Sequence, residues 1–472
     1  MARDFVPRDW QPDMVQHVCE HARAGQFAGM GTGKTGTTLA SLDLLHLTGD
    51  VRKPALVIAP LRVARDTWSD EAKKWSFSSA WSVETMVGTV SDRLNALGRV
   101  RRGNSPLATI NYENLPWLIE KLDGEWPFGM VIADESTKLK SFRGGFQTHP
   151  TTGTVFFKAT GGQRAKAIGR VAHKTERWVN LTGTPAPNGL IDLWGQTWML
   201  DAGQRLGRTF TAFQERWFQK GFNGHSIDPL PFAQEQIEKA LADICLTTTV
   251  PTAEPFKNVI RIELPAQARQ HYREMERKLW TEIKSLGVEA VNAAAKSGKC
   301  LQIANGAVYD NEEEKNWHVV HGVKLDALES VVAEAAGAPV LVAYHWKHDK
   351  ARLLKHFPGA LDLSTASGLR AAKAGEGVVW LAHPASLGHG VDGLQEHCNI
   401  LAFFGLWWNL EEHDQIIERI GPMRQQQAGK DRPVYIHYLV AADTVDELVL
   451  ERLETKRTVQ QVLLDALRRK NL

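Results

Sequence analysis

Six short apolar runs punctuate the chain: Ala55–Ala59, Met130–Ala133, Val340–Tyr344, Val378–Ala382, Ile400–Phe404 and Val434–Val440. Each is continuous rather than alternating and is bounded by Gly, Pro or polar residues, the pattern of strands buried on both faces. Longer stretches with helical spacing separate them. That alternation predicts an α/β fold with parallel sheets. The runs fall into two groups, before about residue 185 and after about residue 335, with a polar, helical stretch between. The pattern predicts two α/β lobes, residues 1–245 and 246–472, with helical insertions at about 195–245 and 265–320 and a final helix over 443–472. Open parallel sheets bind ligands at the carboxyl ends of their strands, so chemistry is expected where these runs end.

Length and composition fit this picture. The 472 residues suffice for several ordinary domains, and 43% hydrophobic with 23% charged residues is normal for a globular chain. No apolar run is long enough to cross a bilayer, and MARDFVPRDW lacks the apolar core of a signal peptide. The four cysteines form no CxxC pair, which predicts neither a disulfide framework nor a zinc site and makes an intracellular setting the default. With 56 basic against 54 acidic residues the net charge is only +2, so any polyanion must find a local basic cleft. The tail (Arg452, Lys456, Arg457, Arg468, Arg469, Lys470) reads as a solvated helix face.

The strongest local signal is Ala28-Gly29-Met30-Gly31-Thr32-Gly33-Lys34-Thr35, followed by helical spacing that ends near Gly49. A glycine-rich turn opening a helix cradles phosphate with successive N–H groups. Lys34 would reach the outer phosphates of ATP and Thr35 would ligate Mg2+. The first position is Ala28 where a strict P-loop has glycine. Met130–Ala133 runs into Asp134 and Glu135. An apolar strand ending in two acids brings one carboxylate, Asp134, to the magnesium and a second, Glu135, to the attacking water. Leu181–Asn188 (LTGTPAPN) places hydroxyls and a Gly-Pro turn after another apolar run.

Together these segments resemble the ordered motifs of superfamily two helicases, most closely the Swi/Snf-type DNA translocases in a compact phage or bacterial form. Arg8–Gln11 resembles the segment whose glutamine reads adenine, AGMGTGKT motif I, Ala59–Trp68 motif Ia, Thr109–Leu115 the stretch after it, Ala133–Lys138 motif II, and LTGTPAPN motif III. In the second half, Leu341–Asp349 resembles motif IV, His383–Gln395 motif V and Gln415–Gln425 motif VI. Thr209–Trp217 and Lys299–Gly306 resemble helical landmarks between them. The resemblance implies two RecA-like lobes in tandem that hydrolyse ATP between them. It implies an adenine contact at Gln11, a γ-phosphate contact at Gln415 and an arginine finger at Arg419. Motif VI usually carries a second arginine three residues on; here Pro422 stands there, and Arg424 is the nearest replacement. An alternative for Arg419 is a surface ion pair with Glu411 or Glu418.

A strand-tracking motor needs grips on the phosphate backbone from both lobes. First-lobe candidates are Arg62, Arg65, Thr67, Asn111, Lys138 and Lys140; second-lobe candidates are His345, Lys347, Ser386 and Gly388. Trp407 and Trp408 read as packing residues. The expectation is an ATP-dependent, monomeric motor in a bacterial or phage-infected cytoplasm that moves on duplex DNA with little sequence preference, with replication or recombination proteins as further partners. Two alternatives stand beside it: a strand-separating DNA or RNA helicase, and a DNA clamp that binds ATP but hydrolyses it weakly, which Pro422 keeps open.

Overall fold

The computed structural model describes residues 2–29, 31–103, 105–149, 151–187, 189–220, 227–248, 250, 253–286, 297–310, 316–387, 391–430 and 432–455. Met30, Gly388 and the basic tail from Lys456 onward therefore lie outside the described residues. The chain divides into two compact units, Met1–Pro251 and Thr252–Leu472.

The first unit is built on β1 (Arg23–Ala28), β2 (Ala55–Ala59), β3 (Val83–Met86), β4 (Leu107–Asn111), β5 (Met130–Asp134), β8 (Arg177–Thr182) and β11 (Cys245–Thr248), in the order β11-β1-β8-β5-β2-β4-β3. All six pairings are parallel. Two antiparallel hairpins lie outside the sheet: β6 (Arg143–Thr148) with β7 (Val155–Thr160), and β9 (Phe218–Lys220) with β10 (Ile227–Pro229). Helices pack on both faces of the sheet, one face gathering Leu39, Leu42 and Trp68, the other Tyr112, Phe142 and Trp194.

The second unit repeats the plan with β12 (Phe256–Ile262), β15 (Val340–Ala343), β16 (Leu361–Asp362), β17 (Val379–Ala382), β18 (Ile400–Phe403) and β19 (Tyr435–Ala441), ordered β12-β19-β18-β15-β17-β16 and parallel throughout. A small hairpin joins β13 (Ala307–Tyr309) to β14 (Trp317–Val319). Two parallel sheets with helices on their faces are the two RecA-like lobes expected from the sequence. No helix among the described residues is long and apolar enough to cross a membrane.

All six apolar runs are strands, but several strands do not read as such. β1 (RAGQFA) carries Gln26, which is buried and donates to the Met14 carbonyl, and Gly25, where a side chain would strike Cys245 Sγ. β12 (FKNVIRI) is polar yet pairs with β19 along its whole length. The first unit also extends past the expected boundary at 245, because Cys245–Thr248 completes the first sheet by pairing with β1. The insertion regions hold the helices Phe210–Trp217, Ala233–Leu241, Ala266–Leu286 and Gly298–Asn305, and also β9–β10 and β13–β14. Of the final helix, Val445–Thr455 is described.

Candidate active site

Because the first sheet is parallel, all its carboxyl ends share one edge. β1, β8 and β5 are consecutive neighbours there. β1 runs into the glycine-rich loop, β8 into Leu181–Thr184, and β5 into Asp134 and Glu135. Adjacent strands lie about 4.8 Å apart, so the fold gathers within about 10 Å three segments that are spread over more than a hundred residues of sequence.

The loop has the geometry a phosphate cradle requires. Gly31 and Gly33 take φ of +76° and +90°, the left-handed region that glycine enters without strain. Gly33 caps helix α2 (Lys34–Leu47), so the first N–H groups of a fourteen-residue helix face the loop. Lys34 Nζ donates to the carbonyls of Ala28 (2.6 Å) and Gly29 (2.9 Å), folding back over its own loop. Thr32 Oγ1 donates to Gly29 O at 2.8 Å. Thr35 follows in the first turn of α2, partly exposed. Gln11 opens helix α1 (Gln11–Glu20), is buried, and donates through Nε2 to the Thr32 carbonyl while Oε1 accepts from Arg8 N–H, both at 3.0 Å. Trp10 Nε1 also donates to Thr32 O. The adenine-contact candidate therefore touches the loop itself.

Asp134 receives Trp68 Nε1–H on Oδ2 at 2.9 Å. Burial pushes its carboxyl above the usual range, opposed by the Trp68 N–H, the Lys34 ammonium and the Glu135 N–H. Glu135 lies in the left-handed region at φ +58°, and Tyr112 Oη donates to the carbonyls of both Asp134 (2.9 Å) and Glu135 (3.2 Å). Ser136 Oγ donates to Gln196 Oε1, and the Gln196 amide donates to the carbonyls of Pro185 and Asp192. One fully buried side chain thus joins the segment after β5 to the turn after β8. Trp68, Tyr112 and Gln196 were missed from sequence: an indole, a phenol and an amide become site residues only through contacts across the sheet.

A hydroxyl at a helix start and a carboxylate at a strand end are hard oxygen donors suited to magnesium. The half-buried Asp134 carboxyl, held high with one N–H on one oxygen, fits a nearby cation.

In the second unit Gln415 and Arg419 lie on the helix Leu410–Ile420, both buried. Gln415 Nε2 donates to Glu411 Oε1 at 3.2 Å. Arg419 Nη1 donates to the Val391 carbonyl at 3.0 Å, so it is not the surface ion pair with Glu411 or Glu418 held as an alternative. Pro422 is the first residue of a separate helix, Pro422–Gln427, where its missing N–H and fixed φ suit the position. Arg424 on that helix pairs with Asp392 Oδ1 at 2.8 Å. Both arginines are therefore anchored on the same two-residue step, Val391–Asp392.

The DNA-contact candidates separate into groups. His345, Lys347 and Ser386 line one cavity of about 580 Å³ with Tyr344, Lys350 and His383. It forms where the neighbouring strands β15 and β17 end; the His345 ring stacks against His383 and Trp407, and His383 Nε2–H donates to the His345 carbonyl at 3.0 Å. Trp407 is buried and Trp408 Nε1 donates to Ser297 Oγ, so both pack. In the first unit Lys138 is exposed, Arg62 is partly buried, Arg65 is exposed but clasped by Asp66 at 2.9 Å, and Lys140 pairs with Asp192 at 3.3 Å. Two candidates need correction. Asn111 is buried, donating to Glu113 and accepting from Asn114, so it shapes its loop rather than presenting an open amide. Thr67 closes a single π-helical turn, Val63–Thr67, that turns its hydroxyl into the interior.

No protein-family model matches the chain. Phage protein p41 of Acyrthosiphon pisum secondary endosymbiont phage 1 is 48% identical over 99% of this chain and 100% of its own length. A RAD54-like DNA repair and recombination protein of Drosophila ananassae is 23% identical over 95% of this chain, which spans 61% of that protein. The solved Sulfolobus solfataricus SWI2/SNF2 ATPase core in complex with dsDNA aligns over 96% of this chain and 92% of its own, at 18% identity and a TM-score of 0.43. The chain belongs to one family with phage protein p41, and the ordered motifs carried by its two parallel sheets resemble those of Swi/Snf-type members of superfamily two.

Proposed function

We propose that this protein is a DNA-directed ATPase that moves on, or remodels, duplex DNA. The observation that carries the reading is the carboxyl edge of β1, β8 and β5, where the glycine cradle, the acid pair and the Thr-Gly-Thr turn meet. Lys34 and the α2 N–H groups would hold phosphate, and Gln11 would contact the base. Thr35 and Asp134 would hold a magnesium ion, which when bound neutralises phosphate charge. Glu135 orients and polarises the attacking water. Gln415 and Arg419 are the second unit's candidates for γ-phosphate contact, with Arg424 as the candidate replacement for the arginine absent at Pro422. Its sharing of an anchor with Arg419 supports that substitution. Similarity to a DNA repair protein favours DNA as the track.

Steady-state ATP hydrolysis tests this directly, measured at one salt concentration without nucleic acid and with duplex DNA, single-stranded DNA or duplex RNA. Strong stimulation by duplex DNA is the expected result. Glu135→Gln is expected to bind ATP yet lose about 10²-fold or more in turnover. Stimulation by single strands or RNA alone would replace the reading with a strand-separating helicase. ATP binding without hydrolysis under every condition would make the protein a clamp.

A further inference from the structure

Directly after the acid pair, from Ser136 to Thr175, the chain has Lys or Arg at eight positions and Asp or Glu at none. A net charge of +2 for the whole chain hides this concentration. Solvated surfaces normally mix the two signs, because a one-sign field repels itself. Forty residues without an acid therefore suit a polyanionic partner.

The structure gives this stretch a definite form. β6 and β7 make a hairpin backed by the helix Gln163–Gly169, which also packs against the turn Ser136–Leu139. Phe146 and Phe157 sit opposite each other in register and pack on Trp198, fixing one hairpin face to the core. Side chains alternate along a strand, so Phe156 and Lys158 share the other face; both are exposed. Some cations in the stretch have structural work. Lys140 pairs with Asp192, and Arg143 donates to the carbonyls of Lys140 and Phe142 and lies 3.6 Å over the Phe210 ring. Arg164 pairs at 3.0 Å with Glu113, which also accepts from Asn111, tying the backing helix to the loop after β4. Lys158, Lys166 and Arg170 differ: no carboxylate among the described residues pairs with them. Six residues of β7 extend about 20 Å at about 3.3 Å each. That is the axial rise of about six base pairs of duplex DNA.

We propose that the β6–β7 hairpin and its backing helix form a DNA-backbone grip of the first unit, separate from the motif Ia segment, with Lys158, Lys166 and Arg170 as its phosphate contacts. The proposal rests on the reading of the protein as a DNA-directed ATPase. Each neutralised phosphate steepens the fall of log affinity with log salt by about 0.9.

The test measures binding of labelled duplex DNA across a series of potassium chloride concentrations. The triple variant Lys158→Ala, Lys166→Ala, Arg170→Ala is expected to bind more weakly, with a salt slope shallower by about 3. Lys158→Ala alone, a change at one exposed position, is expected to shift the slope by about 1 and keeps the test open if the triple variant folds poorly. The paired control Arg102→Ala, Lys239→Ala removes exposed charges elsewhere in the first unit and is expected to keep the parental slope. A parental slope in the hairpin variants, or an equal change in the control, overturns the grip while leaving the ATPase reading intact. Failure of the unmodified protein to bind DNA at any salt overturns both.

Discussion

Glu135 occupies a left-handed backbone conformation at φ +58° that costs a non-glycine residue about 1–2 kcal/mol. The Tyr112 hydroxyl, bonded to the carbonyls on either side, offsets that cost and fixes the direction of the carboxylate. Gln196 does similar work for the next residue. It is buried among Ser136, Pro185 and Asp192 with both ends of its amide satisfied. Replacing it by leucine keeps the volume and strips partners from a buried hydroxyl and a turn carbonyl, at about 1–3 kcal/mol for each unsatisfied group. Gln196→Leu is expected to lower the unfolding free energy of the first unit by at least that amount and to reduce kcat. The KM for ATP should hold, because the loop contacts are elsewhere. An unchanged kcat would show that the two segments work without this link. At this scale Lys34, Asp134 and Glu135 were legible as candidates, since phosphate and water chemistry calls for those groups beside a turn or strand end. Their supporting residues were not, since Trp68 and Tyr112 look like any other core aromatics until the sheet brings them over.

Among elements, the helix that opens at Lys347 is secured by a buried polar chain. Asp446 pairs with Lys324 at 2.6 Å, Lys324 donates to Asn305, Asn305 donates to Asp349, and Asp349 caps the helix at Trp346 N–H. Beside it, Arg352 binds the carbonyls of Asn305 and His321, and burial drives the His321 imidazole down to about 4. A histidine lowered from 6.5 to about 4 is neutral in the folded state while the unfolded chain takes up a proton. The unfolded state binds more protons between those values, so stability is full above pH 6.5 and falls as pH drops toward 4. The loss is on the order of 3 kcal/mol. His321→Gln is expected to remove that share of acid sensitivity. Urea unfolding monitored at neutral pH and near pH 5 in both proteins checks it; parallel pH profiles would show that other groups set the acid limit. These helices were legible from spacing, whereas the chain of charges linking them was not, because Lys324 and Asp446 are 122 residues apart.

For the whole molecule, the nucleotide-cradle candidates lie in the first unit and the arginine candidates in the second. That division separates affinity from turnover. Lys34→Ala is expected to abolish measurable ATP hydrolysis. Arg419→Ala is expected to bind ATP nearly as the parent does while losing up to about 10³-fold or more in kcat, the scale of an arginine finger. Arg424→Ala resolves the substitution at Pro422: a comparable loss means that Arg424 takes the missing role, and an unaffected kcat leaves Arg419 alone. Titration of a fluorescent ATP analogue alongside steady-state turnover separates the two effects.

By itself the sequence determined the α/β class, the two-lobed plan and the order of the motifs. Continuous apolar runs have few ways to be buried, and phosphate chemistry restricts which residues follow them. Only the tertiary structure decided which strands are neighbours. β1 and β12 are too polar to declare themselves and are strands because partners satisfy their backbones. The β6–β7 hairpin is set by the packing of Phe146 and Phe157 on Trp198. Asn111 and Thr67 turned inward for the same reason: a side chain's direction depends on the surface available around it, and local sequence does not encode that surface.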